Sequence, residues 1–377
     1  MTEIWVPYGP VDVSFDIKQE NLSHILEPRA QKIPQDELEI ISDRVSEENI
    51  VLLSGTSGAQ KFLEILLMRN KNLKKIIYPK SLGALARRKA LEYSIDSVQL
   101  SVDSSIASES FEKGISAYLP LLASGKMLIL SSAHYDPLFG LSSPASEIIS
   151  LVPEMKKHLF TEFSGELPFI PEKAPASDYS ISLFQSLTQI RAVELVEKAG
   201  VGIIGLSYGE IGSTHSKTVD IWTKNLSVPV QKSERVIFGC GGGENDRNLT
   251  DAFSRALFPV LINATLPDSD AKICMLAECG HGLGSEAFLR FVTGRLEPRS
   301  KIGGVEYVDG LEVLLSFQKM QRDLQINILT TLPRFYAAKF DLKTVGGARE
   351  APLSLVQPGS RAKILVIPDA SSTSFRA

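Results

Sequence analysis

Residues 272–288, KICMLAECGHGLGSEAF, join an apolar run to a glycine-spaced loop and then to the start of a helix. This order is typical of an open α/β sheet, whose ligands bind outside the carboxyl ends of the strands. His281 lies between Gly280 and Gly282, where the missing side chains let a small molecule approach the imidazole closely. The stretch therefore predicts an α/β fold and makes His281 a candidate site residue, with a mobile loop as the alternative interpretation.

The remainder of the chain alternates short apolar runs with amphipathic stretches, which predicts βα units around a mainly parallel sheet. The predicted strands cover residues 50–53, 75–78, 97–100, 127–130, 201–206, 235–238, 272–276 and 363–367. The predicted helices cover residues 60–68, 82–93, 108–122, 189–198, 248–257, 285–292 and 310–318. The Pro- and Ser-rich residues 165–182 predict a long loop, and a disordered tail is expected from about residue 370.

The length of 377 residues exceeds the size at which a single hydrophobic core keeps growing. Two domains are therefore expected, and a change in composition at residues 226–233 places the boundary between them. We predict one α/β domain at residues 1–232 and a second at residues 233–377. Each would be a mainly parallel sheet with helices on its faces, and a cleft would separate the two domains.

The composition argues against several classes of protein. Hydrophobic residues make up 44% and charged residues 22% of the chain, as in a soluble globular protein. The net charge of −4, with no block of Lys and Arg, argues against nucleic-acid and anionic-membrane partners. No signal segment or membrane-spanning run is evident, so a cytoplasmic location is expected. Cys240, Cys274 and Cys279 lack the spacing of a disulfide framework or a zinc site.

A glycine-rich turn follows the strand predicted at residues 50–53. Backbone N–H groups in such a turn, at the start of a helix, can bind a carboxylate or phosphate. The ligand contacts predicted here are Thr56, Ser57, Gly58 and Gln60. Plain capping of the helix by Ser57 or Thr56 is the alternative interpretation.

A second turn contains Gly241, Gly242 and Gly243 after another predicted strand. A GxG pattern also occurs in dinucleotide-binding folds, but the third glycine of that motif is missing here. Asp251 and Arg255 are four residues apart on the following predicted helix. They form either a solvated ion pair or, together with the three glycines, contacts to a polar ligand.

A third strand end carries His134, Tyr135 and Asp136. His134 is a candidate general acid or base, although a histidine beside a turn is structural at least as often. The HExxH and GxSxG motifs are absent, so neither a metal hydrolase nor a serine hydrolase is indicated.

Four segments of the chain resemble, in the same order, segments of the LarA-type lactate racemases, enzymes with a nickel-pincer nucleotide cofactor. The segments are IWVPYGPVDVSFDI (4–17), IIGLSYGEIGSTHSKTVD (203–220), CGHGLGSEAF (279–288) and ILVIPDA (364–370). They correspond to the family's opening Pro-Tyr strand, its IIG segment, its Gly-His-Gly-Gly-Glu-Gly-Phe loop and its closing Val-Ile-Pro-Asp strand. The resemblance spans most of the chain.

The resemblance implies a two-domain α/β protein that racemises a 2-hydroxy acid by hydride transfer to a covalently attached nickel-pincer ring. It also implies two histidines that alternate as base and acid. In this chain Ser146 stands where the family has its attachment lysine. One catalytic histidine falls on Asp136, with His134 close by, and the second has no counterpart after residues 75–78.

These observations give two function hypotheses. The first is a divergent lactate-racemase-like protein that binds a small anionic ligand of the 2-hydroxy-acid type in the cleft. As an enzyme it would be an isomerase without the usual pincer attachment, with His281, His134 and Asp136 as catalytic candidates. The second is a non-catalytic ligand sensor on the same fold, motivated by the missing lysine and histidines. The residues themselves predict no metal site.

Overall fold

The computed structural model of the protein describes residues 1–100, 125–170, 174–184, 187, 189–229, 232–262, 271–297, 306–321, 324–357 and 359–376. Its strands are β1 (Thr2–Tyr8), β2 (Val11–Ile17), β3 (Leu22–Ile25), β4 (Asn49–Leu52), β5 (Lys75–Tyr78), β6 (Asp96–Gln99), β7 (Met127–Ser132), β8 (Tyr135–Asp136), β9 (Gly140–Leu141), β10 (Ile190–Lys198), β11 (Gly202–Gly209), β12 (Ser227–Pro229), β13 (Arg235–Gly239), β14 (Lys272–Leu276), β15 (Gln325–Leu329), β16 (Lys343–Thr344), β17 (Ile364–Ile367) and β18 (Ser374–Arg376).

The helices, labelled in chain order, are α1 (Gln35–Arg44), α2 (Ser57–Arg69), α3 (Gly83–Glu92), α4 (Pro144–Ser150), α5 (Pro153–Phe163), α6 (Pro175–Phe184), α7 (Ile211–Leu226), α8 (Leu249–Ala252), α9 (Phe258–Ile262), α10 (Glu286–Val292), α11 (Leu311–Met320), α12 (Arg334–Lys339) and α13 (Ala351–Leu355). A π-helical turn, Phe253–Leu257, joins α8 to α9. Within the ranges described, no helix is both long enough and apolar enough to cross a membrane.

The first sheet has the strand order β11-β10-β7-β4-β5-β6. Its neighbouring strands are parallel, except for the antiparallel pair β10 and β11. From β4 the chain runs outward through β5 and β6, and it returns on the other side of β4 as β7. The winding therefore reverses between β4 and β7, and open α/β sheets bind their ligands at such a reversal.

The second sheet repeats this plan. Its strand order is β16-β15-β14-β13-β17-β3, and all its pairs are parallel. From β13 the chain runs outward through β14, β15 and β16, and it returns on the other side of β13 as β17. The winding of this sheet reverses between β13 and β17. The two parallel sheets with their helices confirm the predicted α/β fold class.

The inner strands are apolar on both faces because helices cover both sides of each parallel sheet. In β7, Leu128 packs in one core cluster with Phe62 of α2, while the next residue, Ile129, packs in another with Ile148 of α4. All of these side chains are fully buried. The short uninterrupted apolar runs of the sequence correspond to such strands.

At each end of the chain, residues pack with elements that are distant in the sequence. The hairpin of β1 and β2 buries Ile4 and Phe15 in one cluster with Ile237 and Val366 of the second sheet, and β3 pairs with β17. At the other end, β18 pairs with β12, which directly follows α7. Residues 1–25 therefore pack with strands from the second half of the chain.

The prediction of a helix at residues 189–198 is wrong, since this segment is the strand β10. Ile190, Val193 and Val196 have a helical spacing, and Glu194 and Glu197 look like the polar face of an amphipathic helix. In the structure, β10 lies between β7 and β11, and both glutamates are inside the protein. Pairing with two neighbouring strands overrides the local pattern.

The predicted disordered tail is also wrong, because Ser371 to Phe375 are buried and β18 is paired. The loop predicted at residues 165–182 contains the start of α6, which has Pro175 in its first turn, a position that proline favours. The helix predicted at residues 108–122 lies outside the described residues.

Candidate functional site

The carboxyl ends of the two sheets face each other across a cleft that contains an inner cavity and an outer groove. The inner cavity has a volume of about 60 Å³ and is lined by Leu53, Ser54, Thr56, Ser132, Ala133, His134, Glu147, Glu197, Trp222, Glu244, Asn245, Arg255, Ser371 and Ser372. These residues include the segments that directly follow β4, β7, β13 and β17. Both winding reversals therefore contribute to one cavity, as expected for a ligand site.

The outer groove is larger, about 1130 Å³, and shares five lining residues with the inner cavity. The shared residues are Thr56, Glu197, Glu244, Asn245 and Ser372. The groove brings together several predicted site residues, namely Thr56, Ser57, Gly241, Gly242, Gly243 and His281. His134 and Arg255 line the inner cavity instead, whereas Gly58, Gln60, Asp136 and Asp251 line neither.

The amino terminus of α2 binds a carboxylate of the protein itself. Glu197 Oε2 accepts a hydrogen bond of 2.9 Å from the Gly58 N–H, and Oε1 accepts hydrogen bonds from Thr56 and, at 2.8 Å, from Ser132. Thr56 is also the N-cap of α2, because its hydroxyl accepts the Ala59 N–H. Burial raises the pKa of Glu197, and the hydrogen bonds from Thr56, Ser132 and Gly58 oppose that shift. The anion position predicted at this turn thus holds Glu197.

The second glycine turn has the backbone that only glycine adopts readily. Gly241, Gly242 and Gly243 have φ angles of 84°, 65° and 60°, in the left-handed region. A Cβ on Gly242 would come within 2.8 Å of the Gly9 carbonyl oxygen, so the turn also lies close to the β1–β2 hairpin. These three residues form one wall of the outer groove.

Asp136 and Asp251 have local partners. Asp136 Oδ1 accepts the N–H groups of Leu138 at 2.8 Å and Phe139 at 3.1 Å. Burial raises the pKa of Asp136, while Lys156 opposes that shift. Asp251 lies 3.2 Å from Arg247 and has only a 4.0 Å contact with Arg255. Both aspartates therefore interact with residues close to them in the sequence and do not face either cavity.

Arg255 is a buried guanidinium with few partners. Its side chain is 15% exposed, and it makes one hydrogen bond of 3.4 Å to Asn245 besides the long contact to Asp251. A guanidinium has five N–H donors in a fixed fork. Within the described part of the chain, most of these donors lack a protein acceptor, and Arg255 lines the inner cavity.

Glu147 lies in the wall of the same cavity. Its Oε1 is buried without a hydrogen-bond partner among the described residues, and it lies 3.9 Å from His134 Nδ1. Burial, followed by the nearby charge of Glu194, raises the pKa of Glu147 well above its usual range, and Arg255 opposes that shift. Glu147 is therefore a carboxyl group that holds its proton more strongly than usual.

The hydrogen bonds of His134 define its tautomer. Nδ1 lies 3.0 Å from the Ser132 carbonyl oxygen and 3.1 Å from the Ser142 hydroxyl. A carbonyl oxygen only accepts, so Nδ1 carries the proton and Nε2 keeps a lone pair. Burial and the charge of Arg255 lower the pKa of His134 to about 3. His134 is therefore an uncharged imidazole at neutral pH.

His281 is exposed on the wall of the outer groove, where its backbone N–H donates to the Arg247 carbonyl at 2.8 Å.

Cys240 and Cys279 are buried, and burial raises the pKa of both thiols. Among the described residues, no group of three or more His, Cys, Asp or Glu side chains is arranged to hold a metal ion.

Several lining residues are absent from the sequence predictions, notably Glu147, Glu197, Trp222 and Glu244. Glu197 was not singled out because residues 189–198 were predicted to form a helix. Ser371 and Ser372 were not singled out because they fall in the tail that was predicted to be disordered. Glu244 directly follows the glycine turn at 241–243, and this adjacency was the available signal.

The fold is that of a lactate racemase. The structure matches the lactate racemase apoprotein from Thermoanaerobacterium thermosaccharolyticum with a TM-score of 0.71 and 16% identity, covering 100% of both chains. It also matches a protein from Thermotoga maritima with a TM-score of 0.59 and 8% identity, covering 93% of this chain and 100% of that one. Comparisons of the sequence with protein families and with curated proteins find no match. The similarity therefore establishes the fold.

Proposed function

We propose that this protein binds a small carboxylate of the 2-hydroxy-acid type in the inner cavity, with Arg255 as the partner of the carboxylate. The observation that carries the proposal is the guanidinium of Arg255, which is 15% exposed, has mostly open donors and lines a cavity at two winding reversals. Paired N–H donors of arginine match the two oxygens of a carboxylate. Such a pair is strongest where water is excluded.

The residues at the expected attachment position do not fit a covalently held nickel-pincer nucleotide. Ser146 is 1% exposed, and its hydroxyl and N–H form a capping box with Ser143 at the start of α4. The lysine that lines the outer groove, Lys198, lies 2.7 Å from Glu27 and is 6% exposed. We therefore derive no reaction step through that cofactor.

As an enzyme, the protein would be an isomerase in which proton transfer is carried by its own side chains. Glu147 in its ionised form would take the proton from carbon 2 and return it, because burial makes this carboxylate a stronger base than usual. His134 Nε2 would accept a hydrogen bond from the 2-hydroxyl group. The alternative is a non-catalytic sensor. Glu197 favours that alternative, because it fills the anion position of α2 and leaves the cavity with fewer open donors.

Calorimetric titration with glycolate and with each enantiomer of lactate tests the binding proposal. Arg255→Met should weaken binding at least about tenfold, since hydrogen bonds to charged groups contribute about 1.5–3 kcal/mol. Arg290→Gln is the matched control, because Arg290 forms a surface pair with Glu286 and lies outside both cavities. No binding by the unmodified protein, or equal affinities for both variants, would refute the proposal.

The same ligands distinguish the enzyme from the sensor. An isomerase exchanges the hydrogen on carbon 2 with solvent in D2O, which proton NMR detects, and Glu147→Gln should abolish the exchange. A sensor shows no exchange but is stabilised by the ligand. A ligand at about 100 times its Kd adds about 2.7 kcal/mol to the free energy of unfolding.

A further inference from the structure

The inner cavity contains more carboxyl groups than cations. Glu147, Glu197 and Glu244 line it together with a single guanidinium, that of Arg255. His134 is uncharged, because burial and Arg255 lower its pKa to about 3. Even with one of the three carboxyl groups protonated, the lining carries a net negative charge. An ordinary anion would increase this excess in a place that water does not screen well.

Two of the three carboxyl groups have no partner of their own. Glu197 is satisfied by its hydrogen bonds to Thr56, Gly58 and Ser132. By contrast, Glu147 Oε1 is buried without a partner among the described residues. In the described part of the chain, Glu244 likewise has no hydrogen bond or ion pair. Buried polar groups are nearly always paired, so Glu147 Oε1 indicates a missing donor. Glu244 is half-buried where the inner cavity meets the outer groove, and its carboxylate is open to a second donor.

Glu244 is held against the opposite side of the cleft. A Cβ on Gly55 would lie 2.7 Å from Glu244 Oε1, so the carboxylate from the turn after β13 touches the turn after β4. The glycine at position 55 makes room for this approach. Glu244 therefore reaches the inner cavity from the second sheet, while Glu147 reaches it from α4 of the first.

The size of the cavity limits the ligand. A buried water needs about 10–15 Å³ of cavity volume, so 60 Å³ accommodates on the order of four to six non-hydrogen atoms. A carboxylate with two or three carbons and one further polar group has this size. Larger metabolites would need the outer groove as well.

We propose that the ligand is a small 2-amino acid in its zwitterionic form, with its carboxylate on Arg255 and its ammonium group facing Glu147 and Glu244. The inference rests on the proposed function for the carboxylate and replaces the 2-hydroxyl group by an ammonium group. An ammonium has three donors and no acceptor, which suits two carboxyl groups that lack donors. Trp222 in the cavity wall adds an aromatic ring, to which cations are attracted.

A zwitterion also binds without adding to the net negative charge of the cavity. Its two charges cancel, so its entry leaves the net charge of the cavity unchanged and brings each charge to an opposite one. A hydroxy acid adds one negative charge, and its hydroxyl group offers one donor where an ammonium group offers three. The quantity to measure is therefore the ratio of the affinities for an amino acid and for the hydroxy acid with the same carbon skeleton.

Calorimetric titration at pH 7.5 with the matched pairs glycine and glycolate, and alanine and lactate in both enantiomers, tests this preference. The amino member of at least one pair should bind about tenfold more tightly than its hydroxy partner. Glu244→Gln and Glu147→Gln should each remove most of that preference. Glu286→Gln, an exposed glutamate on α10, is the control and should change neither affinity.

The possible outcomes separate the two proposals. Equal or tighter binding of the hydroxy acid overturns the amino-acid inference and leaves the proposed function standing. Binding of the amino acid alone refutes the hydroxy acid as the ligand and supports the inference, provided that Arg255→Met weakens the binding of the amino acid. Binding of neither overturns both. A preference that survives Glu244→Gln and Glu147→Gln overturns the assignment of the ammonium to these residues, and thermal unfolding of each variant shows that it is folded.

Discussion

Glu147 gives the protein a stability that depends on pH. Its folded-state pKa is raised well above the usual 4.5, so its stabilising contribution is complete below pH 4.5 and is lost as the pH rises toward the folded value. Glu147→Gln removes this titration. The variant should therefore gain stability relative to the unmodified protein as the pH rises from 5 to 8.

Urea unfolding at pH 5 and at pH 8 measures this difference. Glu286→Gln serves as the control, because Glu286 is an exposed residue paired with Arg290 and should give the same small change at both pH values. An equal effect of Glu147→Gln at both pH values would mean that the carboxyl group ionises normally in the folded protein.

At the scale of single residues, the sequence singled out groove-lining residues that belong to recognisable local patterns, and their part in ligand binding stays a prediction. Thr56, Gly242 and His281 lie in turns after apolar strands, and they do line the outer groove. Glu147 and Glu197 could not be predicted in this way. They approach Arg255 or Thr56 only after folding, from segments far apart in the chain, and nothing local distinguishes them from surface glutamates.

At the scale of elements, α2 and β10 are locked together by Glu197 and Gly58. A Cβ on Gly58 would lie 2.3 Å from Glu197 Oε2 and 2.8 Å from Ile203. Gly58→Ala should therefore lower the free energy of unfolding by about 2 kcal/mol, although alanine ordinarily favours a helix. Gly165→Ala is the matched control, since nothing lies within 4 Å of its Cβ, and it should stay within about 0.5 kcal/mol.

Chemical denaturation of the two glycine variants provides the comparison. Equal stabilities would show that Glu197 moves aside at no cost, and that its contact with α2 is not a fixed feature of the fold.

The element predictions failed where tertiary context decides. The central strands were recognisable because parallel sheets bury both faces and leave uninterrupted apolar runs, as in β14. In β10 the run is interrupted by Glu194 and Glu197, which the fold buries for pairing with His215 and with α2. Charged residues are rarely buried, so the pattern of hydrophobic residues does not predict the positions where they are.

At the scale of the whole molecule, the two sheets are joined by both ends of the chain. Phe375 in β18 is 6% exposed and belongs to the large core cluster that includes residues of both sheets. Phe375→Ala should cost about 3 kcal/mol, as for other buried phenylalanines. Phe335→Ala is the control, because Phe335 is 61% exposed and should cost less than about 1 kcal/mol.

The same crossing predicts cooperative unfolding. Trp222 lies in α7, which packs on β10 and β11 of the first sheet, and is 5% exposed, whereas Trp5 lies in the hairpin that packs on the second sheet. We expect fluorescence and far-UV circular dichroism to report one coincident urea transition for the whole chain. Two separated transitions would show that the halves unfold independently despite β3 and β18.

The buried segment 371–375 has a practical consequence for labelling the protein. Ser371 and Ser372 line the inner cavity, and the paired strand β18 follows them at Ser374–Arg376. A dye or tag attached within this segment would therefore disturb both the cavity wall and a strand pair. Met1 is 86% exposed and lines neither cavity, so a label there leaves both undisturbed.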